Sequence, residues 1–464
     1  MVSAQVLALV LAVLALPVLI VAEPELIKHI IVTDFHVFHD RLWKPSDRSR
    51  VEALSVAGAQ GDRWRRVRAV VSPVFRSRKL SKMHALIDKL SNRMVNALDV
   101  MAKNEGQFDA VDTSERYVTE VIVACGFGTK SSALTDLDDP YLVNARTIFS
   151  ASMFRFLCAQ LIPTFLRHFL NIKSLTTAKE IDYFKNLLQH ILTLRLNSGQ
   201  KYTDFMGLLI NARKEWDVTL TDNDSQTHYF ISGDEEPSLS RQSSTEAKAG
   251  NPWLSDEEIV AQGVMLVGAG FGTTASTLAF MAYELALNPS VQQKLYDEIN
   301  GAIDSDGEIP YDVLTRLPYL DAVLSETLRL HTPVPQLVRV AARDYKLGDT
   351  GITIPKGMTV EVPIYAIHRS PKYYPNPDQF EPDRFLQENK FNLIPYTYLP
   401  FGGGPRLCVG MRFAFLMIKV AMVMIIRKYR LSRTGNTESP LMGDQKFLST
   451  KEDICQNCNV MGRT

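Results

Sequence analysis

The sequence predicts a mainly α-helical fold with a small β region. Two long apolar helical stretches lie late in the chain, helix-like apolar spacing fills most of its first half, and a short tract of alternating β-branched residues separates the long stretches. With 464 residues and 46% hydrophobic content, the chain has material for an ample core. Its 51 basic and 51 acidic residues cancel, so the charge balance gives no reason to expect a nucleic-acid partner. The five cysteines, Cys125, Cys158, Cys408, Cys455 and Cys458, are odd in number and scattered. That usage suits a reducing compartment and leaves room for a free thiolate.

From Met1 to Ala22 no residue is charged, and Val6 to Ala22 is almost wholly aliphatic, close to the roughly 20 residues that span a bilayer. An uncleaved anchor is preferred to a signal peptide, because no basic n-region precedes the apolar run. Lys28 and Arg41 follow it, which places the main domain on the cytoplasmic side. Helical spacing continues through Lys79–Met101 and Thr113–Cys125, and a polar segment from about Asp217 to Asn251 reads as a surface loop. Ser255-Asp256-Glu257-Glu258 is a capping box that opens an apolar helix running to Asn288, where Pro289 starts the next. Residues 336–364 alternate β-branched residues with turn signals and predict the small sheet. A Pro- and aromatic-rich meander leads to Pro405, and Val409–Tyr429 is a second long apolar helix. Arg412, Lys419 and Arg427 punctuate it, which favours a buried core helix over a membrane span.

The densest chemistry lies in Phe401-Gly402-Gly403-Gly404-Pro405-Arg406-Leu407-Cys408-Val409-Gly410. Three successive glycines allow positive φ, so backbone N–H groups can point at a sulfur held just before a helix N-terminus, an arrangement expected to favour the thiolate. Arg406 adds a cation, Phe401 can shield the sulfur, and Gly410 allows a flat macrocycle to approach the helix. A cysteine in a Gly-rich turn, taken alone, is more often buried and inert. Glu326 and Arg329 share a helical face at i, i+3, which by itself is a common surface pair. In the long helix, Gly268, Gly270 and Gly272 beside Thr273 and Thr274 predict a local distortion, since a threonine hydroxyl can bond the carbonyl one turn back.

Together these segments resemble the cytochrome P-450 superfamily, with the cysteine loop matching at Phe401, Gly404, Arg406, Cys408 and Gly410. The resemblance runs from about Pro17 to the end. It is closest to the microsomal clade of vertebrate steroid- and drug-oxidising enzymes and thromboxane synthase. It implies a cytochrome P-450 fold holding haem b (iron protoporphyrin IX), with Cys408 as the iron ligand. A thiolate ligand pushes electron density to the iron and favours O–O cleavage. It further implies that Glu326, Arg329 and Arg384 form a buried structural network, the last from Phe380-Glu381-Pro382-Asp383-Arg384-Phe385. Trp64, Arg68, Arg339 and Arg406 become contacts of the haem propionates, joined by Arg41. Thr273 becomes the catalytic hydroxyl of the oxygen-binding groove, and Ala269, Phe271 and Val334 become substrate-pocket residues.

Two departures stand out. The residue before the threonine is usually acidic in the family and is Gly272 here, which would leave a proton relay to Thr273 and water. Pro17 to Glu25 resembles the strand and turn that normally come well after the anchor. The chain therefore divides into a short anchor over 1–16, reaching 22 on the span reading, and an N-terminally abbreviated catalytic domain over 17–464.

The expected activity is a monooxygenase acting on a lipophilic small molecule and dioxygen, with NADPH electrons arriving through a flavoprotein reductase. Arg65, Arg66, Lys79 and Lys82 are candidate contacts for an acidic reductase or simply a solvated face. The expected location is the endoplasmic reticulum membrane, with the catalytic domain facing the cytoplasm. A haem-thiolate isomerase of peroxides and an inactive haem-binding membrane protein are the alternatives. Cys455-Gln456-Asn457-Cys458 reads as two incidental thiols, against a redox or zinc half-site.

Overall fold

A computed structural model describes residues 17–41, 50–104, 107–149, 178–212, 253–434 and 458–462. The main helices are α1 (Gly61–Val71), α2 (Ser77–Asn104), α3 (Ala110–Phe127), α4 (Pro140–Phe149), α5 (Ala178–Ser198), α6 (Phe205–Ala212), α7 (Asp256–Leu287), α8 (Pro289–Gly301), α9 (Pro318–Leu330) and α10 (Met411–Lys428). The strands are β1 (Val18–Ile20), β2 (Gln107–Phe108), β3 (Leu337–Val340), β4 (Tyr345–Lys346), β5 (Thr353–Ile354), β6 (Thr359–Val362), β7 (Tyr429–Arg433) and β8 (Cys458–Gly462). They form three small sheets, ordered β1-β6-β3, β2-β8-β7 and β4-β5. The mainly helical expectation is met. The anchor expected over 1–16 and the loop expected near 217–251 lie outside the described residues.

Helix α7 organises the core. Its Ser255 hydroxyl accepts from the Glu258 N–H and the Glu258 carboxylate accepts from the Ser255 N–H, so the capping box is complete. Among the described residues only α7 is long and apolar enough to cross a membrane, yet more than half of its most apolar stretch is buried against protein. It touches α3, α4, α5, α9 and α10, as an all-round apolar core helix does. The helix runs from Asp256 to Leu287 through the Gly268–Thr274 segment, where the Thr273 hydroxyl bonds the Ala269 carbonyl one turn back. A side chain at Gly270 would come within 3.3 Å of Ile122 on α3. This glycine permits close helix packing. Helix α3 begins at Ala110, three residues ahead of the expected start. Asp109 is the reason: its carboxylate caps the N–H groups of Val111 and Asp112 at 2.8 and 2.9 Å.

On α10, Lys419 is 1% exposed and pairs with Asp321 at 2.5 Å, which fixes that helix as a core element. The segment Val18–Ile20, read in the sequence as either strand or membrane span, is a strand pairing in parallel with Thr359–Glu361. A second, smaller core joins the N-terminal residues Ile27, Ile30, Ile31, Val37 and Phe38 to Val360, Val362, Ile367 and Leu399. The N-terminal segment therefore underlies the end of the meander.

The meander is held by charge. Glu326 and Arg329 are fully buried and share two hydrogen bonds at 2.7 and 2.8 Å. Arg329 also donates to the carbonyls of His368, Pro377 and Gln379. Glu326 accepts from Arg384 at 3.1 Å and from the Glu381 N–H at 2.9 Å. Burying such a group is tolerable only because its hydrogen-bonding capacity is met on all sides. Arg384 also pairs with Glu381 at 2.8 Å, so removing the charge in Glu326→Gln leaves the fully buried Arg329 without a counter-ion, and is expected to cost about 3–5 kcal/mol, measured by denaturant titration.

His368, fully buried, takes the Leu399 N–H on Nε2 at 2.9 Å. Burial, reinforced by Arg329, pushes it down to about 3 from 6.5. The folded state thus keeps the ring neutral, and its contribution is complete above pH 6.5 and lost as pH falls towards about 3. Unfolding titrations across this window are expected to show a slope of roughly 1.4 kcal/mol per pH unit. His368→Gln, which keeps an acceptor for Leu399, is expected to lose it.

Candidate active site

The cysteine loop is built by close backbone approach. Gly404 has φ +63°, and a Cβ there would fall 1.8 Å from the Ile31 carbonyl oxygen, so no larger residue fits. Gly402, with φ +76°, turns the chain after Phe401. The Cys408 N–H closes the loop onto the Phe401 carbonyl at 3.1 Å, and the Leu407 N–H closes onto Gly404 at 2.9 Å. Phe401 packs edge-on against Phe415 of α10, with centroids 5.2 Å apart. This places Cys408 just before the first turn of α10.

Cys408 has accessible surface, yet it lies deep enough for desolvation to dominate its titration. Its surface therefore opens into the interior rather than to bulk water. Burial raises the thiol pKa, against the lowering pull of the Gly410 and Met411 N–H groups, Arg68 and Arg41. The loop's N–H groups and the arginines pull towards the thiolate, as expected, while desolvation pulls the other way; a metal cation bound to the sulfur would add to the first.

Four arginines surround this interior. Arg406 stacks over the Trp64 ring at 4.1 Å, donates to the carbonyls of His39 and Ala59 at 3.0 and 2.9 Å, and lies 3.6 Å from Asp40. Arg41 reaches the Arg406 carbonyl at 3.5 Å. Arg339 on β3 is 2% exposed; Nη1 donates to the Val338 carbonyl and Nε has no partner. Burial pushes Arg406 down to about 8, with Arg41 and Arg339 adding repulsion. Arg339 falls to about 9 through burial and Arg41, and Arg68 to about 10 through burial. So many cations with so little counter-charge describe a site for an anionic group.

One stripe of α7, Gly268, Ala269, Gly272, Thr273 and Ser276, keeps accessible surface in the middle of the helix. The Thr273 hydroxyl donates to the Ala269 carbonyl at 2.6 Å. Phe271 is 1% exposed and packs in the main core, away from this stripe, so the structure does not group it with Ala269 and Thr273. Val334, in the turn after α9, is 42% exposed. Of the basic residues, Lys79 and Lys82 are exposed, whereas Arg65 pairs with Asp62 and Arg66 with Glu258. Asp40, His39 and Ala59 had no motif to mark them; they act through a carboxylate and two carbonyls that only the fold brings to Arg406.

A family model of cytochrome P450 matches residues 9–232 and 236–455. The chain belongs to the cytochrome P450 family. It is 33% identical to cytochrome P450 3A11 of Mus musculus over 94% of this chain and 82% of that protein. Against cytochrome P450 3A2 of Rattus norvegicus the identity is 34%, with the same coverage. Against probable cytochrome P450 6a14 of Drosophila melanogaster it is 31%, again over 94% and 82%. As a P450 the protein is an oxidoreductase of the monooxygenase type, and its family cofactor is haem b.

The residues present fit that group. The Cys408 sulfur offers a ligand facing inward, the unpartnered Nε of Arg339 and the crowded guanidinium groups suit two carboxylates, and a Cβ at Gly410 would meet no protein atom within 4 Å. Arg339→Met is expected to act with opposite signs in the two forms of the P450. Without haem it removes a poorly compensated buried charge, stabilising by about 1–4 kcal/mol. With haem it loosens the cofactor. Denaturation of the haem-free and haem-loaded proteins measures both.

Proposed function

We propose that this P450 inserts one atom of dioxygen into a neutral, lipophilic small molecule, drawing electrons from NADPH through a flavoprotein reductase at the endoplasmic reticulum membrane. The observation that carries the reading is the inward-facing Cys408 thiol ringed by Arg41, Arg68, Arg339 and Arg406. Those arginines would hold the haem propionates, with Trp64 supporting Arg406, and Phe401, packed on Phe415, would shield the sulfur. Bound there, the haem supplies dioxygen activation, with the thiolate favouring O–O cleavage. Gly410 leaves room for the flat ring beside α10.

The accessible stripe of α7 bears no charged side chain, which suits an apolar substrate. Ala269 and Val334 would contact it; Phe271 would act from behind, through the packing of α7. The Thr273 proton is committed to the Ala269 carbonyl, so its oxygen serves as an acceptor that orders a water. With Gly272 beside it, that water has no neighbouring carboxylate on which to draw. Lys79 and Lys82, exposed on the first turns of α2, offer an acidic reductase a contact. The apolar opening of the sequence supports the membrane, and the basic residues after it support the cytoplasmic face.

Gly272 favours one second reading, rearrangement of an organic peroxide, which requires neither reductase nor delivered protons. The first test is the difference spectrum of the reduced, carbon-monoxide-bound protein. A red-shifted Soret band that disappears in Cys408→Ala is the expected result, and absence of haem would favour an inactive protein. Product formation that requires both NADPH and reductase supports the monooxygenase. Reductase-independent conversion of a peroxide, with no oxygenated product, would overturn it in favour of the isomerase.

A further inference from the structure

Two buried glutamines make the same kind of clamp in different places. On α7, Gln262 is 2% exposed. Its Oε1 accepts from the Val56 N–H at 2.7 Å, and its Nε2 donates to the Leu54 carbonyl at 3.0 Å and to the Glu258 carbonyl at 2.8 Å. On α8, Gln292 is 1% exposed and holds Leu431 of β7 in the same way, accepting from its N–H and donating to its carbonyl, both at 2.9 Å. Each amide therefore satisfies both a backbone N–H and a backbone carbonyl, at Val56 and Leu54 for Gln262 and on the outer edge of β7 for Gln292.

The difference is what lies beyond the clamped backbone. After Val56 the chain folds on itself: the Gly58 N–H bonds the Ser55 hydroxyl at 3.1 Å and the Ala59 N–H bonds the Ser55 carbonyl at 2.7 Å. Ser55 is fully buried. This tight turn presents the Ala59 carbonyl to Arg406 at 2.9 Å, with the Val56 carbonyl 3.5 Å from the same guanidinium. Arg50 to Glu257 and Arg66 to Glu258 are further ties between this region and the first turn of α7; the first is exposed, where a pair contributes little, and the second starts from Arg66 of α1, beyond the turn. The Gln262 amide is the enclosed tie.

We propose that Gln262 is a positioning residue for the haem: by fixing Leu54 and Val56 to α7, it sets the turn whose carbonyls aim Arg406, two residues before Cys408, at the cofactor. The N-terminal half of α7, which continues into the Thr273 stripe, is thereby coupled to the arginine at the anionic edge of the haem. Gln292 makes the same kind of clamp on the edge of strand β7, beyond the far end of α10 from the cysteine loop, and serves as the internal comparison. The proposal rests on the haem assignment, whose failure shows separately, as a wild-type chain that takes up no haem.

The experiment compares haem-loaded wild type, Gln262→Leu and Gln292→Leu. Stability is read by denaturant titration, and haem release by transfer to excess apomyoglobin. Both variants lose one buried amide clamp and are expected to fall similarly in stability. Gln262→Leu alone is expected to release haem faster, by about tenfold, the scale of one or two net hydrogen bonds. Should Gln262→Leu fail to load, Gln262→Glu is read against Gln292→Glu; each keeps the acceptor for a backbone N–H and loses the donor to a carbonyl. Equal release rates from the two positions, or wild-type release from the Gln262 variants, would overturn the proposal and leave Gln262 a purely structural clamp.

Discussion

One buried carboxylate holds the cofactor loop in place. Glu326 has no exposed surface, and it accepts from Arg329, Arg384 and the Glu381 N–H. Through Arg329 the same charge reaches three carbonyls of the chain between His368 and Gln379. That stretch leads to Leu399, fixed by His368, and so to the glycines that bend around Cys408. Between His368 and Leu399 the chain holds turns and two short 3-10 helices, Pro382–Phe385 and Gln387–Asn392, whose backbone bonds are local. A desolvated ion network ties them to α9, and its strength comes from the same burial that makes it intolerant of a missing member.

Around the cysteine the electrostatics run the other way. The Glu326 network is balanced, whereas the ring of Arg41, Arg68, Arg339 and Arg406 has little opposing charge beyond Asp40. The thiol is held against ionisation and the guanidinium groups against protonation, both by desolvation. A haem bound there would answer both demands at once, since its iron would favour the thiolate and its carboxylates would favour the cations. Cofactor binding and folding would then be linked, with occupancy stabilising the fold.

Much of this was legible in the sequence because the signals are local. The capping box at Ser255–Glu258, the loop from Phe401 to Gly410, and the spacing of Glu326 and Arg329 each sit within ten residues and need no partner to be noticed. The strand Val18–Ile20 was legible against its rival as a membrane span only through resemblance. What could not be read depends on distant contacts. Gln262 is an unremarkable helix residue until Val56 meets it, and the direction of Phe271 follows from where α3 packs. The glycines of α7 marked an unusual stretch of the helix on propensity alone, but the close approach of Ile122 to Gly270 depends on how α3 packs. Asp109, by contrast, was a local cap that could have placed the start of α3 from sequence.

The contact between Gly404 and the Ile31 carbonyl has a bearing on how the protein is made. Its neighbours Arg406 and His39 are 367 residues apart in sequence, so the floor of the cysteine loop leaves the ribosome long before the loop itself. Contacts of such sequence separation form late, because loop closure must precede any gain from them. The N-terminal apolar residues that line this floor must wait through synthesis of the helical core before they are covered. Closure of the cysteine loop is consequently a late event in folding, and loss of either the Ile31–His39 segment or the Gly404–Arg406 segment would remove one wall of the same site.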